Sequence, residues 1–143
     1  MIGVIVCGNG YFNEGLRSAL KLLVGVPEKI EYVDYKQEDT ADEFENRLKA
    51  AIYAFEEKDI LILCDMAQET PYFMAVSCKN KIDDRNIEVV TGVNVGMLVQ
   101  INLARGYLSA VDDLADFAVE EGKKQISVVR SEDYIPPTDE EEE

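Results

Sequence analysis

Ile60-Leu61-Ile62-Leu63-Cys64, followed at once by Asp65, decides the fold of this chain. A strand with one wet face alternates apolar and polar residues. A short, uninterrupted apolar run fits a strand buried on both faces, as in a parallel sheet covered by helices. The charge at its end marks where the chain leaves the core.

The same grammar repeats on either side. Ile2 to Cys7 is a first strand, broken by Gly8-Asn9-Gly10, and Phe12, Leu16, Ala19, Leu20 and Leu23 then follow at helical spacing until Gly25 and Pro27. Ile30 to Tyr35 is a second strand. Thr40 with Glu43 reads as a capping box opening a helix that turns Phe44, Leu48, Ala51, Ile52 and Phe55 inward. Thr70-Pro71 reads as cap and first-turn proline of a helix to about Cys78. Ile87 to Thr91 is a fourth strand, ended by Gly92. Asn94 caps a helix reaching about Arg105, and Ser109 caps another ended by Gly122. Gln125 to Arg130, "QISVVR", is expected to be a last short strand. Strands alternating with helices predict a three-layer α/β/α fold with a mostly parallel sheet of four strands plus that short C-terminal strand.

Composition narrows the function. The chain has 143 residues, enough for one core, and 47% are hydrophobic. Its formal net charge of -15 disfavours nucleic acid, which needs a basic patch. No apolar run approaches the roughly 20 residues of a membrane span. Residues 131–143 hold seven acids and no base. The remaining 22 acids against 14 bases still leave an excess. We read residues 1–130 as one domain and 131–143 as an acidic, mobile tail. The N-terminus lacks a basic leader, so we expect a cytoplasmic protein with free thiols at Cys7, Cys64 and Cys78. Three scattered cysteines with no histidine do not match a zinc site, and we expect no cofactor.

In parallel α/β sheets, ligands sit beyond the carboxyl ends of the strands. Three stretches fall there: Gly8-Asn9-Gly10, Asp65 to Pro71, and Gly92 to Asn94. Gly8-Asn9-Gly10 is a tight turn that also lets the backbone approach a ligand closely. Asp65 either orients a partner group or bonds its own loop. Gln68-Glu69-Thr70 precedes a helix N-terminus that could hold an anion, but Glu69 brings its own charge to that place. Cys7 and Cys64 end two strands expected to be neighbours, and each is either a small buried group or a nucleophile.

In this order, these residues resemble the IIA domain of the mannose family of the bacterial phosphoenolpyruvate-dependent sugar phosphotransferase system (PTS), in its N-acetylgalactosamine/mannose/fructose-like branch. That family's first strand ends in Ser/Gly/Thr-His-Gly, matched here by Gly8-Asn9-Gly10 and the helix "YFNEGLRSALKLLVG". Its third ends in Asp-x-x-Gly-Gly-Ser/Thr-Pro-Phe, matched by "DMAQETPYFMAVS" at Asp65, Thr70, Pro71 and Tyr72. Its fourth ends in Gly-x-Asn, matched by "VVTGVNVGMLVQINLAR". The likeness spans about residues 1–130. It implies a cytoplasmic homodimer whose last strand joins the partner's sheet, and it implies exchange of a phosphoryl group with the phosphocarrier protein HPr and a IIB component.

The departures bear on function. The family's accepting histidine is replaced by Asn9, and the two glycines before Thr70 by Gln68 and Glu69. An amide nitrogen gives its lone pair to the carbonyl and is no nucleophile, and Glu69 would repel a phosphoryl group at close range. The resemblance therefore implies a regulatory or binding partner of HPr, a IIB protein or an active IIA paralogue. The site-equivalent positions are Asn9, Asp65 and Thr70, and the ligand-facing ones Gly8, Gly10, Gln68, Glu69, Gly92 and Asn94. Two other readings stay open. One is a phosphoryl carrier that uses Cys7, Cys64 or Asp65. The other is a small-ligand sensor with Asn9, Asp65 and Asn94 as polar contacts.

Overall fold

A computed structural model describes residues 1–138. Nine principal elements follow in order: β1 (Gly3–Asn9), α1 (Phe12–Val24), β2 (Ile30–Tyr35), α2 (Ala41–Ala54), β3 (Asp59–Cys64), α3 (Thr70–Lys81), β4 (Asn86–Thr91), α4 (Val95–Ala104) and α5 (Val111–Lys123). The four strands form one parallel sheet in the order β2-β1-β3-β4. Among the described residues, no helix is long and apolar enough to cross a membrane.

The apolar run of β3 lies at the centre of the sheet, beside β1. Ile60 to Cys64 and Val4 to Cys7 are fully buried. Their side chains alternate between two cores. Val4, Val6, Leu61 and Leu63 pack under α1, α4 and α5 with Leu16, Leu20, Leu98, Ile101 and Leu114. Ile5, Cys7, Ile60, Ile62 and Cys64 pack against Phe44, Leu48, Ile52, Ala75 and Cys78 of α2 and α3. Burying each large side chain stabilises by roughly 1.5–3 kcal/mol over leaving it exposed. Both faces of β1 and β3 must therefore be apolar.

The helix ends carry local signals. Thr40 and Glu43 form the expected capping box on α2. The Asn94 side chain accepts from Met97 N at 2.9 Å and caps α4. Other caps differ from expectation. Thr70 lies inside α3, with Glu69 at the cap, and α5 is preceded by Ala110 rather than Ser109, with no side-chain cap at either. Leu23, expected on the apolar face of α1, is 60% exposed in the last turn before the Gly25 cap. Arg105 is buried at the far end of the sheet. It donates to the carbonyls of Ile2 (3.1 Å), Lys29 (3.0 Å) and Glu28, and so ties α4 to the starts of β1 and β2.

The expected strand Gln125 to Arg130 is not a strand within this chain. Residues 126–130 carry no regular structure, and Ile126, Val128 and Val129 are 79%, 69% and 72% exposed. A strand exists only through a neighbour's ladder, and β4 pairs with β3 alone. Of the expected tail, Ser131–Asp133 makes one 3-10 turn, and residues 139–143 lie outside the described residues.

Glu45 of α2 is buried between α2 and α3 beside Lys81 (3.4 Å) and Lys49 (3.7 Å). A hydrogen bond from Ser77, then Lys81 and Lys49, hold its carboxyl below the usual range. A lowered folded pKa means stabilisation that is complete above the ordinary glutamate range and lost as pH falls through the lowered value. Glu45→Gln should lower stability by about 0.5–1 kcal/mol at neutral pH. In urea unfolding, its gap from the native protein should close as the solution is acidified.

Candidate functional site

The sheet's register builds the site. Cys7 of β1 stands opposite Cys64 of β3 as their last paired rung. The next residues keep the pattern into the loops. Asp65 N–H donates to the Cys7 carbonyl (3.1 Å), Val93 N–H to the Cys64 carbonyl (3.0 Å), and Gly10 N–H to the Tyr35 carbonyl (2.8 Å). The loops after β1, β3 and β4 are thus locked side by side.

This brings Asn9 and Asp65 together. Asn9 donates its backbone N–H (2.8 Å) and its Nδ2 (2.9 Å) to the same oxygen, Asp65 Oδ2. Asp65 Oδ1 accepts from Met66 N–H at 2.9 Å. The carboxylate therefore faces donors rather than open solvent, and it fixes the orientation of the Asn9 amide. Gly8 is required by its neighbours: a Cβ there would stand 2.7 Å from Asn13 Oδ1 and 2.8 Å from Phe12 Cδ2.

The remaining expected residues ring this pair unevenly. Gln68 and Glu69 are exposed on the loop from Asp65 to α3, and Thr70 begins α3. Gln68 has φ +65°, a left-handed backbone that favours glycine. Gly92 also has positive φ, at +79°. Asn94 is spent internally: beyond capping α4, its Nδ2 donates to the Gly122 carbonyl at 3.1 Å. Cys7 and Cys64 are fully buried beneath the site. A hydrogen bond with Cys64 and burial push the Cys7 thiol well above its ordinary pKa. Neither thiol has the exposed, electropositive setting of a nucleophile. No group of three or more His, Cys, Asp or Glu side chains among the described residues could hold a metal ion.

One contributor escaped the sequence reading. Asn13, on the buried face of α1, donates Nδ2 to the carbonyls of Val6 (3.2 Å) and Val33 (3.1 Å) and to Asp34 Oδ1 (2.9 Å). It pins α1 to the ends of β1 and β2. Its signal was an asparagine in register with Leu16 and Leu20, where an apolar residue belongs. Between the N-termini of α1 and α4 lies an open groove of about 480 Å³, lined by Tyr11, Phe12, Gly15, Leu16, Val93, Asn94 and Val95.

A family model named EIIA-man and described as the PTS system fructose IIA component matches residues 3–119. The chain is 25% identical over 131 residues to the PTS system mannose-specific EIIAB component of Escherichia coli K12. That stretch is 91% of this chain and 40% of the relative, so the chain spans about two fifths of the curated relatives it matches. Among solved structures it is similar to phosphotransferase system component EIIA from Streptococcus agalactiae. The TM-score is 0.85 and the identity 26%, covering 90% of this chain and 97% of that one. It shares its fold with the mannose/sorbose specific IIA subunit from Enterococcus faecalis, at TM-score 0.80 and 20% identity, covering 96% and 98%.

Two outcomes follow from this geometry. Gln68→Gly should raise stability by about 0.5–1 kcal/mol by relieving the left-handed backbone, while Gln68→Ala should not. Asp65→Ala should cost about 1–3 kcal/mol by stranding two donors of Asn9. Urea midpoints read both.

Proposed function

The chain belongs to the mannose-type IIA family of the PTS, and on that premise we propose that it serves sugar uptake as a partner of PTS proteins without carrying phosphohistidine. The observation that carries this reading is the Asn9–Asp65 pair in a chain with no histidine. On the resemblance, Asn9 stands at the position of the family's phosphoryl-accepting histidine, which supports this reading. An amide there keeps a donor toward Asp65 and offers no basic nitrogen to phosphorus. Glu69, at the cap of α3, puts a carboxylate where the resemblance implies a glycine. The buried state of Cys7 and Cys64 argues against the thiols as substitutes. In this reading the chain works in the cytoplasm and engages HPr, a IIB protein or a histidine-bearing IIA paralogue. It is a homodimer, supported by two unpaired features: the open edge of β4 and the exposed apolar segment 126–130.

The test is intact mass after incubation with phosphoenolpyruvate, enzyme I and HPr. The native chain should gain no phosphoryl group. Asn9→His alone should stay poor, because Gln68 and Glu69 remain. Combining it with Gln68→Gly and Glu69→Gly should restore acceptance. Phosphorylation of the native chain would falsify the proposal.

A further inference from the structure

Acids outnumber bases 29 to 14 in this chain, yet two cations on α1 pair with none of them. Arg17 and Lys21 form no ion pair among the described residues. They are four residues apart, so both stand on one side of the helix. Leu20 beside them is buried. Arg17 is held in place: its guanidinium carbon lies 5.5 Å from the centroid of the Tyr32 ring on β2, within cation–π range.

These side chains surround a cavity of about 290 Å³ between the C-terminal half of α1 and the start of β2. Its apolar lining comes from Leu20, Val26, Pro27 and Ile30, and its polar side chains are Arg17, Lys21 and Tyr32. Ligand pockets run from roughly 300 to 1,000 Å³, so this one fits a small molecule. The Tyr32 hydroxyl has no hydrogen-bond partner among the described residues. Burial raises the pKa of its phenol, which stays a neutral donor. The cavity lies at the opposite end of the sheet from the Asn9–Asp65 pair, because Ile30 opens β2 and Asn9 closes the parallel strand β1.

The charges choose the ligand. Two unpaired cations favour an anion. A phosphate dianion is best held by free backbone N–H groups at a helix N-terminus. Here the chain offers a helix C-terminus, whose partial charge is negative, and the Gly25 N–H is already donated to the Lys21 carbonyl (3.0 Å). A planar carboxylate needs only the fork of Arg17 and the point charge of Lys21. The apolar lining then requires an apolar body behind that carboxylate.

We propose that this cavity binds a small organic carboxylate with an aromatic or branched apolar body. The carboxylate sits between Arg17 and Lys21, and the body covers Leu20, Pro27 and Ile30. The site is separate from the strand-end loops, and it does not rest on the PTS-partner reading.

Benzoate, phenylacetate and isovalerate are the probes, titrated into the isotope-labelled full chain while its amide spectrum is followed by NMR. At least one should shift the amides of residues 17–25 and 30–32 saturably and leave those of Asn9 and Asp65 in place. Benzamide, which keeps the body without the charge, and inorganic phosphate, which keeps charge without the body, should bind at least about tenfold more weakly. Arg17→Gln and Lys21→Gln should each weaken binding of the acid about tenfold. Both residues are exposed, so the variants should keep the native spectrum away from the cavity. The proposal is overturned if no acid binds saturably, if benzamide or phosphate binds as tightly as the acids, or if the double variant keeps native affinity. Shifts centred on Asn9 and Asp65 would also overturn it, by assigning the acid to the strand ends.

Discussion

One rung of the sheet, Cys7 opposite Cys64, sets where everything above it stands. Both residues are fully buried, so neither strand can slip without carrying a row of apolar side chains to the wrong face. Because the register is fixed there, Asn9 and Asp65 leave the core next to each other, and the backbone bonds of Asp65 and Val93 carry that order into the loops. The site is thus a product of core packing. Its backbone comes from the core, and Asn9 adds a side-chain donor to Asp65.

The frame is held by packing, apart from the residues that crown it. Packing preserves the strands, the capping box of α2 and the Asn94 cap. The core does not enclose the side chains of Asn9, at the end of β1, or of Gln68 and Glu69 on the β3–α3 loop, which are partly or fully exposed. Gln68 even holds a left-handed backbone suited to glycine. The loop therefore has a glycine's path without a glycine's freedom.

Much of this was legible in the residues. Apolar runs located β1 and β3, because burial on both faces leaves a compositional mark, whereas the edge strands β2 and β4 have mixed burial. Thr40, Asn94 and Gly25 marked helix ends through their own chemistry. The meeting of Asn9 with Asp65 could be anticipated only as two strand ends, because strand order is set by packing between distant segments. Asn13 was overlooked because a buried asparagine looks like an interruption until its three acceptors are known. Residues 125–130 read as a strand because they have a strand's composition. Composition cannot say whose sheet would pair with them.

Asn9-Gly10 also bears on how this protein ages. Asparagine before glycine is the sequence most prone to cyclise, because an unhindered glycine nitrogen attacks the side-chain carbon, ammonia leaves, and hydrolysis yields aspartate or isoaspartate. Here the Gly10 nitrogen is held to the Tyr35 carbonyl, and the Asn9 amide is held to Asp65. The fold thus restrains both the attacking nitrogen and the carbon it would attack. If that hold is lost, hydrolysis leaves a carboxylate against Asp65, and the contact that orders the loop becomes a repulsion. The integrity of the site over time is therefore a record of how rarely the ends of β1 and β3 come apart.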